Sequence, residues 1–474
     1  MALTTERDEN TLAIVGGGCA GALVAAHFMR MYRRPRRIVI FEPRPVLGAG
    51  AAYSTDEPRH LLNAPASGMS AFEDEPGHFV TWLAERSLPW GASDFVPRHQ
   101  YREYLQQVLR DELSGAVPGT ELTWVHGLVT SMRVNKESAR PVTTLHVAPG
   151  RRYHADDVVL ALGAPPPVAL PALDVSPTFG MIRDPWCPGA LDAVASSGDV
   201  LILGTGLTMI DVALVLTKRD PRRTVHARSR HGLLPAEHSS DGFAPWPPFD
   251  IGRPSTAREA LQRLRRMTAE AESDGWNWRN VIAAARTAAP EVWGGLAEPE
   301  RRRLLRHLGR RWEVARHRMS TPVAGTVSDL RRSGRLTVGA GRVLDVSNDG
   351  SVEEPRLRVT LALTGGRHET LAVSALVDCT GPGADPTLGS ALVAGLVADD
   401  LARIHPSGIG LDVDGHGDLR TGSATSGTIH TVGWCRRGSE FEATAVPEIR
   451  RQASRLVRHV AESIDRRAPV LAHA

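Results

Sequence analysis

Leu12-Ala13-Ile14-Val15-Gly16-Gly17-Gly18-Cys19-Ala20-Gly21-Ala22-Leu23-Val24-Ala25-Ala26-His27-Phe28 reads as a strand, a tight turn and a helix, and it places this 474-residue chain among the α/β folds. Gly16, Gly18 and Gly21 have the GxGxxG spacing. The first glycine permits the turn, the second lets backbone amides approach a diphosphate, and the third lets the helix lie against the strand. The helix N-terminus then offers unpaired N–H groups and a partial positive charge. A second strand, Arg37-Ile38-Val39-Ile40-Phe41, leads into Glu42. A carboxylate at that strand tip can accept hydrogen bonds from both hydroxyls of an unphosphorylated adenosine ribose. The expected ligand of this unit is FAD.

The pattern returns downstream. Asp199-Val200-Leu201-Ile202-Leu203 reads as a strand, Gly204-Thr205-Gly206-Leu207-Thr208-Met209-Ile210-Asp211 as turn and helix start, and Thr224-Val225-His226-Ala227-Arg228 as the next strand. Gly204, Gly206 and Thr208 are the expected nucleotide contacts here, and Met209 stands in place of the third glycine. The strand tip carries Arg228, with Arg230 just beyond, where the first unit carries Glu42. A guanidinium can pair with a 2′-phosphate that a carboxylate would repel, so this unit is expected to take NADPH over NADH. Two unequal dinucleotide sites in one chain suit hydride transfer from a nicotinamide to a flavin.

Val158-Val159-Leu160-Ala161-Leu162-Gly163, followed by Pro165, Pro166 and Pro167, is a short apolar strand that exits through a glycine. Leu376-Val377-Asp378-Cys379-Thr380-Gly381-Pro382 is another. Such exits mark where a chain leaves one domain and returns to it. The expected architecture is two Rossmann-like dinucleotide-binding domains in a glutathione-reductase-like layout, with a helical insertion. Residues 1–165 and 336–474 would form the FAD domain, and residues 166–335 the inserted NAD(P)H domain. Between about Glu237 and Ser320 the Rossmann pattern gives way, after the proline-rich loop Ala244–Phe249, to an arginine-rich stretch carrying Trp276, Trp278, Trp293 and Trp312. Leu261, Leu264 and Met267 have helical spacing there. This insertion is expected to cap a substrate cavity, most of its tryptophans packing its own core.

Length argues for two domains, and 42% hydrophobic with 23% charged residues sits in the globular range. A formal charge of +3 leaves no basic excess for nucleic acid. Arginine carries the positive charge, Lys136 and Lys218 being the only lysines, as a GC-rich genome would produce. Cys19, Cys187, Cys379 and Cys435 show no CxxC spacing, so neither a redox disulfide nor a metal site is expected, and scattered thiols fit a reducing cytoplasm. The apolar run Thr11–Met29 is broken by glycines and preceded by Glu6-Arg7-Asp8-Glu9-Asn10, unlike a signal peptide. No other stretch approaches the roughly 20 apolar residues of a membrane span. A cytoplasmic protein without membrane or nucleic-acid partners is expected.

Several further stretches carry a family resemblance: Gly48–Ser54, His60-Leu61-Leu62-Asn63-Ala64-Pro65, Met69-Ser70, and Phe95-Val96-Pro97-Arg98-His99-Gln100-Tyr101-Arg102-Glu103-Tyr104-Leu105. Ser229–Pro235, Trp312–Arg318 and Phe441–Arg450 complete it. With both nucleotide units, they make the chain resemble the bacterial FAD/NAD(P)-binding proteins that include FAD-dependent urate hydroxylases. More loosely it is similar to N-hydroxylating and flavin-containing monooxygenases. It lacks the histidine of the Baeyer–Villiger element in Phe179–Trp186 and the cysteine pair of disulfide reductases.

The resemblance implies a single-component flavin monooxygenase that uses NADPH and O2 on a small polar substrate: a heterocycle, an amine or an amino acid. In such enzymes oxygen is activated as a C4a-hydroperoxide of the flavin. It also implies a cofactor role for Arg98, in the PR-x-x-Y element, and an isoalloxazine-facing position for Asn63, an expected catalytic residue that would hydrogen-bond the peroxide or the nicotinamide amide. Gly433, which ends an apolar strand, lets backbone approach the flavin, and Thr444 precedes a helix start whose dipole would favour reduced flavin. His317 and Arg318, with Arg316, are the expected substrate or proton-relay residues and would suit an anionic ligand. His60 and His238 rank below them. Two other readings remain open: a flavin-dependent reductase or dehydrogenase without oxygen insertion, and a non-catalytic FAD-bound redox sensor.

Overall fold

The computed structural model describes residues 10–135, 142–168, 180–239, 245–247, 249–350, 356–421 and 424–467. Phe179, and Ala244 and Pro248 of the proline-rich loop, lie outside them.

Thr11–Val15 is buried along its whole length because parallel strands flank it, Arg37–Phe41 on one edge and Asp157–Leu160 on the other. Its side chains alternate between two cores, as a strand dictates. Leu12 and Ile14 join Leu23 and Phe28 of helix Cys19–Met31 and Leu456 and Val457 of helix Val446–Arg467. Ala13 and Val15 face the antiparallel sheet of Val129–Asn135, Val142–Val147 and Arg151–Ala155, through Met132 and Leu145. The full order of this first sheet is Asp418–Thr421, Ala424–Thr431, Asp157–Leu160, Thr11–Val15, Arg37–Phe41, Glu121–Val125.

The second sheet runs His368–Val373, Leu357–Leu363, Leu336–Asn348, Val225–Ser229, Val200–Leu203, Ala375–Asp378, Met181–Ile182. The two-unit α/β architecture expected from the sequence is therefore present, but one boundary moves. Strands Leu336–Asn348, Leu357–Leu363, His368–Val373 and Ala375–Asp378 belong to the second sheet, not to the returning FAD domain, which resumes in sheet pairing at Asp418. Ala375–Asp378 lies parallel to Val200–Leu203 just as Asp157–Leu160 lies parallel to Thr11–Val15. The two glycine exits are thus equivalent strands of two different units, and their like sequences conceal which sheet each joins.

The insertion is helical as expected, with helices Ala257–Ser273, Trp278–Gly295, Glu298–His307 and Gly309–Arg316. The first is capped at Thr256, whose side chain accepts from the Glu259 amide, while Glu259 reaches back to accept from the Ser255 amide. Trp276 packs in the insertion's own core. Trp293 and Trp312 instead turn outward to the C-terminal part of the FAD domain, where both rings meet Phe441.

At the edge of the first sheet away from the glycine turns, His430 is fully buried between Asp418, whose Oδ1 lies 2.5 Å from Nδ1, and Asp157, 3.8 Å from Nε2. Arg36 and Arg467 also grip Asp157, at 2.8 and 2.5 Å, so the end of helix Val446–Arg467 is tied to the sheet. Burial alone would push the His430 imidazole down; the two carboxylates outweigh it and push it up to about 9. An imidazolium favoured by the fold stabilises it fully below its ordinary value, and that stabilisation is lost as the pH rises through about 9. Its size is of order 3 kcal/mol. Melting temperature is expected to fall across that range, and His430→Asn should lower stability at neutral pH and flatten the decline. An unchanged decline in the variant would contradict the assignment. Among the described residues, no helix is long and apolar enough to cross a membrane.

Candidate active site

The first cradle is held open by contacts that only glycine permits. Gly16 has φ +104°, its N–H donates to the Phe41 carbonyl at 2.8 Å, and a Cβ added to it would lie 2.2 Å from the Ala161 oxygen. A Cβ on Gly21 would lie 1.9 Å from the Gly16 oxygen, so the helix can approach the turn only without a side chain. Gly18 faces Gly50 across a gap that a Cβ would narrow to 3.2 Å. Gly18 caps helix Cys19–Met31 with no side-chain hydrogen bond, leaving first-turn amides for an anion. Glu42 is buried, its Oε2 accepting from the Gly17 amide at 2.8 Å and its Oε1 from the Arg44 amide at 2.9 Å. That fixes a carboxylate at the mouth of the turn. The cradle fits a dinucleotide diphosphate with an unphosphorylated ribose beside it.

Around the mouth of this cradle the expected positions take up distinct surroundings. Gly163, at φ +74°, follows strand Asp157–Leu160 and has open space on its side-chain face. Gly433, at φ +75°, stands 3.6 Å from the Ala20 methyl if given a Cβ, close to the helix start. Its amide donates to Gln452 Oε1 at 2.8 Å, and Gln452 Nε2 donates to Glu440. Thr444 is exposed just before helix Val446–Arg467, with Pro447 in the first turn as the sequence suggests.

The second cradle repeats the first. Gly204 has φ +101°, and its added Cβ would lie 2.0 Å from the Cys379 oxygen. Gly206 caps helix Leu207–Arg219 without a side-chain bond, Thr208 lies half-buried in the first turn, and Gly381 follows strand Ala375–Asp378 at φ +85°. Met209 is fully buried in the core of this unit.

Hydrogen bonding corrects the reading of the strand tip. Gly16 donates to Phe41, the residue before Glu42; Gly204 donates to Arg228 at 2.8 Å. Ser229, not Arg228, therefore occupies the place of Glu42, and its hydroxyl meets that of Thr205 at 2.9 Å. The Arg228 guanidinium is turned along the sheet, bonded to Thr337 and 3.2 Å from Glu369, so it is already engaged. Arg230 is exposed at the tip. The physical reason is an offset: the strand runs Val225–Ser229, one residue further along than the Thr224–Arg228 its composition suggested.

Asn63 presents an exposed side chain, while its carbonyl accepts from His238 Nε2 at 2.9 Å. Arg98 is engaged between the two units. Its Nε donates to the Leu61 carbonyl at 3.1 Å and its Nη2 pairs with Asp211 Oδ2 at 2.8 Å, both side chains largely buried. His60 Nε2 donates to the Asp211 carbonyl at 3.0 Å and its Nδ1 faces the Thr55 hydroxyl. Asp211 belongs to the nucleotide helix of the second unit, so this trio pins one cradle to the other. Arg98 thus ties the two units together.

His317 ends helix Gly309–Arg316 at the junction of the insertion with the C-terminal segment. Burial, reinforced by Arg316, Arg437, Arg286 and Arg310, pushes its imidazole down to about 3. It is neutral at physiological pH and can offer a hydrogen bond but no stored proton. Burial and the neighbouring Arg316, Arg279 and Arg286 likewise push Arg318 down to about 10. Arg286 grips Glu448 bidentately at 2.5 Å, and Arg316 faces Glu442 at 3.5 Å. Nε and Nη2 of Arg316 are buried with no hydrogen-bond partner among the described residues. Glu442 also accepts from Trp312 at 2.6 Å. It follows Phe441, whose φ of 62° and ψ of −60°, with the Glu442 amide donating to the Glu440 carbonyl, make a strained γ-turn. The Trp293 ring stacked at 4.9 Å helps hold it. Sequence patterns named Arg316, His317 and Arg318 but gave no sign of the γ-turn, Gln452 or the trio around Asp211.

Residues 13–165 match the FAD-NAD(P)-binding family. An uncharacterized protein of Mycobacterium tuberculosis is 24% identical over 336 residues, 65% of this chain; the chain spans 62% of the length of that relative. Over 96% of this chain and 99% of the other, the structure superposes on L-lysine 6-monooxygenase from Pseudomonas syringae, with a TM-score of 0.64 at 17% identity. The same coverage relates it to the ornithine N-hydroxylase of Kutzneria sp. 744, with a TM-score of 0.63 at 15% identity. The likeness to both is one of fold.

Proposed function

We propose that the chain is a single-component flavin monooxygenase that takes electrons from NADPH and hydroxylates a small polar substrate. The observation that carries this reading is the pair of cradles locked together through Asp211, one with a carboxylate at its strand tip and the other with serine and arginine. The fold shared with amino-acid hydroxylases supports it. Bound FAD would accept a hydride from the nicotinamide and, with O2, supply one oxygen atom to the substrate and the other to water.

The chain's own residues position and shield. Glu42 would hold the FAD ribose, and first-turn amides at Gly18 its diphosphate. Ser229 adds no charge to repel a 2′-phosphate, and exposed Arg230 can reach it, which supports NADPH over NADH. The start of helix Val446–Arg467 would favour negative charge on reduced flavin. The insertion, sealed to the C-terminal segment by Trp293, Trp312 and the Arg286–Glu448 pair, would exclude water. Arg316, with neutral His317 and Arg318 beside it, suits an anionic group on the substrate.

The test supplies FAD-loaded protein with NADPH, isotope-labelled O2 and a panel of amines, amino acids and heterocycles. Label in a product supports the monooxygenase; NADPH-driven turnover yielding only unlabelled products would establish a reductase or dehydrogenase instead. His317→Ala is expected to lower substrate oxidation by about tenfold or more while leaving anaerobic flavin reduction by NADPH near wild type. Equal losses in both steps would remove His317 from the substrate side.

A further inference from the structure

We infer that Arg310, on helix Gly309–Arg316 of the insertion, binds the diphosphate of the nicotinamide dinucleotide, so that the helical cap completes the second cradle. The inference rests on the nucleotide reading proposed above and extends it to a residue outside both Rossmann units.

A Cβ placed on Gly206 would lie 3.7 and 3.8 Å from the two terminal nitrogens of Arg310. Gly206 is the second glycine of its turn, the one whose missing side chain makes room for a diphosphate. It also caps helix Leu207–Arg219 with no side-chain bond. The guanidinium therefore stands over the space that the first-turn amides and helix dipole make attractive to an anion.

The present partners of Arg310 are distant ones. Its Nη1 lies 3.4 Å from Glu313, its Nη2 lies 3.5 Å from the Leu233 carbonyl, and its side chain remains 32% exposed. Each partner has a closer one: the Leu233 carbonyl accepts from the Thr205 hydroxyl at 2.6 Å, and Glu313 accepts from Arg437 at 3.0 Å. Shorter, charge-assisted bonds to a diphosphate would win Arg310 from both. Glu313 would then be left to Arg437, in the FAD-domain segment that leads to Phe441. Nucleotide binding and the seal of the cap would thus share one carboxylate.

Calorimetric titration of the FAD-loaded protein with NADP+ and with 2′-AMP tests this without turnover. Arg310→Ala should weaken NADP+ by roughly 10- to 100-fold, with Arg310→Lys intermediate. It should leave 2′-AMP unchanged, because that nucleotide carries no diphosphate. Arg230→Ala should weaken both. Arg303→Ala, on the same insertion with its side chain 61% exposed, should change neither. Wild-type NADP+ affinity in Arg310→Ala, or equal weakening of both nucleotides, would overturn the inference. Wild-type protein that binds neither nucleotide would instead defeat the nucleotide reading beneath it.

Discussion

Gly16→Ala is expected to yield protein without flavin, whereas Gly204→Ala should stay yellow and lose its reduction by NADPH. The two substitutions are chemically identical and structurally matched. Each glycine sits at a φ near +100°, and each added methyl would press on a carbonyl oxygen, of Ala161 at 2.2 Å or of Cys379 at 2.0 Å. No side chain rotates out of that way, because the obstacle is backbone. The turn must shift, at a strain of about 1–3 kcal/mol, and the first-turn amides lose their aim at the diphosphate. With the charge-assisted bonds lost as well, affinity for the dinucleotide should fall at least about a hundredfold. Flavin content from visible absorbance, anaerobic reduction by NADPH and a melting curve separate the cases. Stoichiometric FAD in folded Gly16→Ala would show that the first cradle holds something else.

Arg98→Ala is expected to bind FAD normally, melt at lower temperature, and accept electrons from NADPH at least about tenfold more slowly. Removing the guanidinium leaves the Asp211 carboxylate buried without its cation, and breaking a pair of this kind costs about 3–5 kcal/mol. The kinetic effect arises because Asp211 lies on the nucleotide helix of the second unit, so a loosened lock lets the nicotinamide drift from the flavin. Adding Asp211→Ala should recover much of the stability but not the rate, since the unpaired charge disappears while the tether stays cut. A double variant as unstable as the single one, or unchanged reduction in Arg98→Ala, would contradict this role.

Both glycine turns, the helical insertion and the helix start at Val446–Pro447 were legible in the sequence because each depends on local chemistry. Glycine spacing, amphipathic periodicity and a proline in the first turn act within a few residues. What escaped depends on pairing across long separations. Leu376–Gly381 and Val158–Gly163 have the same apolar run and glycine exit, and only the strand beside each tells which unit it completes. The strand tip slipped by one residue because Val225–Ser229 ends on a serine of weak pattern, so arginine-rich composition drew the 2′-phosphate assignment to Arg228, which Glu369 holds. Arg98 stood out by its motif, but its partner Asp211 is remote in sequence, and no local pattern shows the long-range bond that ties the two units together. His317 was singled out between two arginines; its neutrality follows from burial and from Arg437 and Arg286, which no local pattern places beside it.

That two dinucleotide sites serve one flavin is the central claim. Its most direct measurement mixes FAD-loaded protein with NADPH in the absence of oxygen and follows the flavin's visible absorbance. The expected result is rapid bleaching by NADPH, slower bleaching by NADH, and return of the colour when oxygen is admitted. Flavin that stays oxidised with saturating NADPH, in protein that holds FAD tightly, would contradict it.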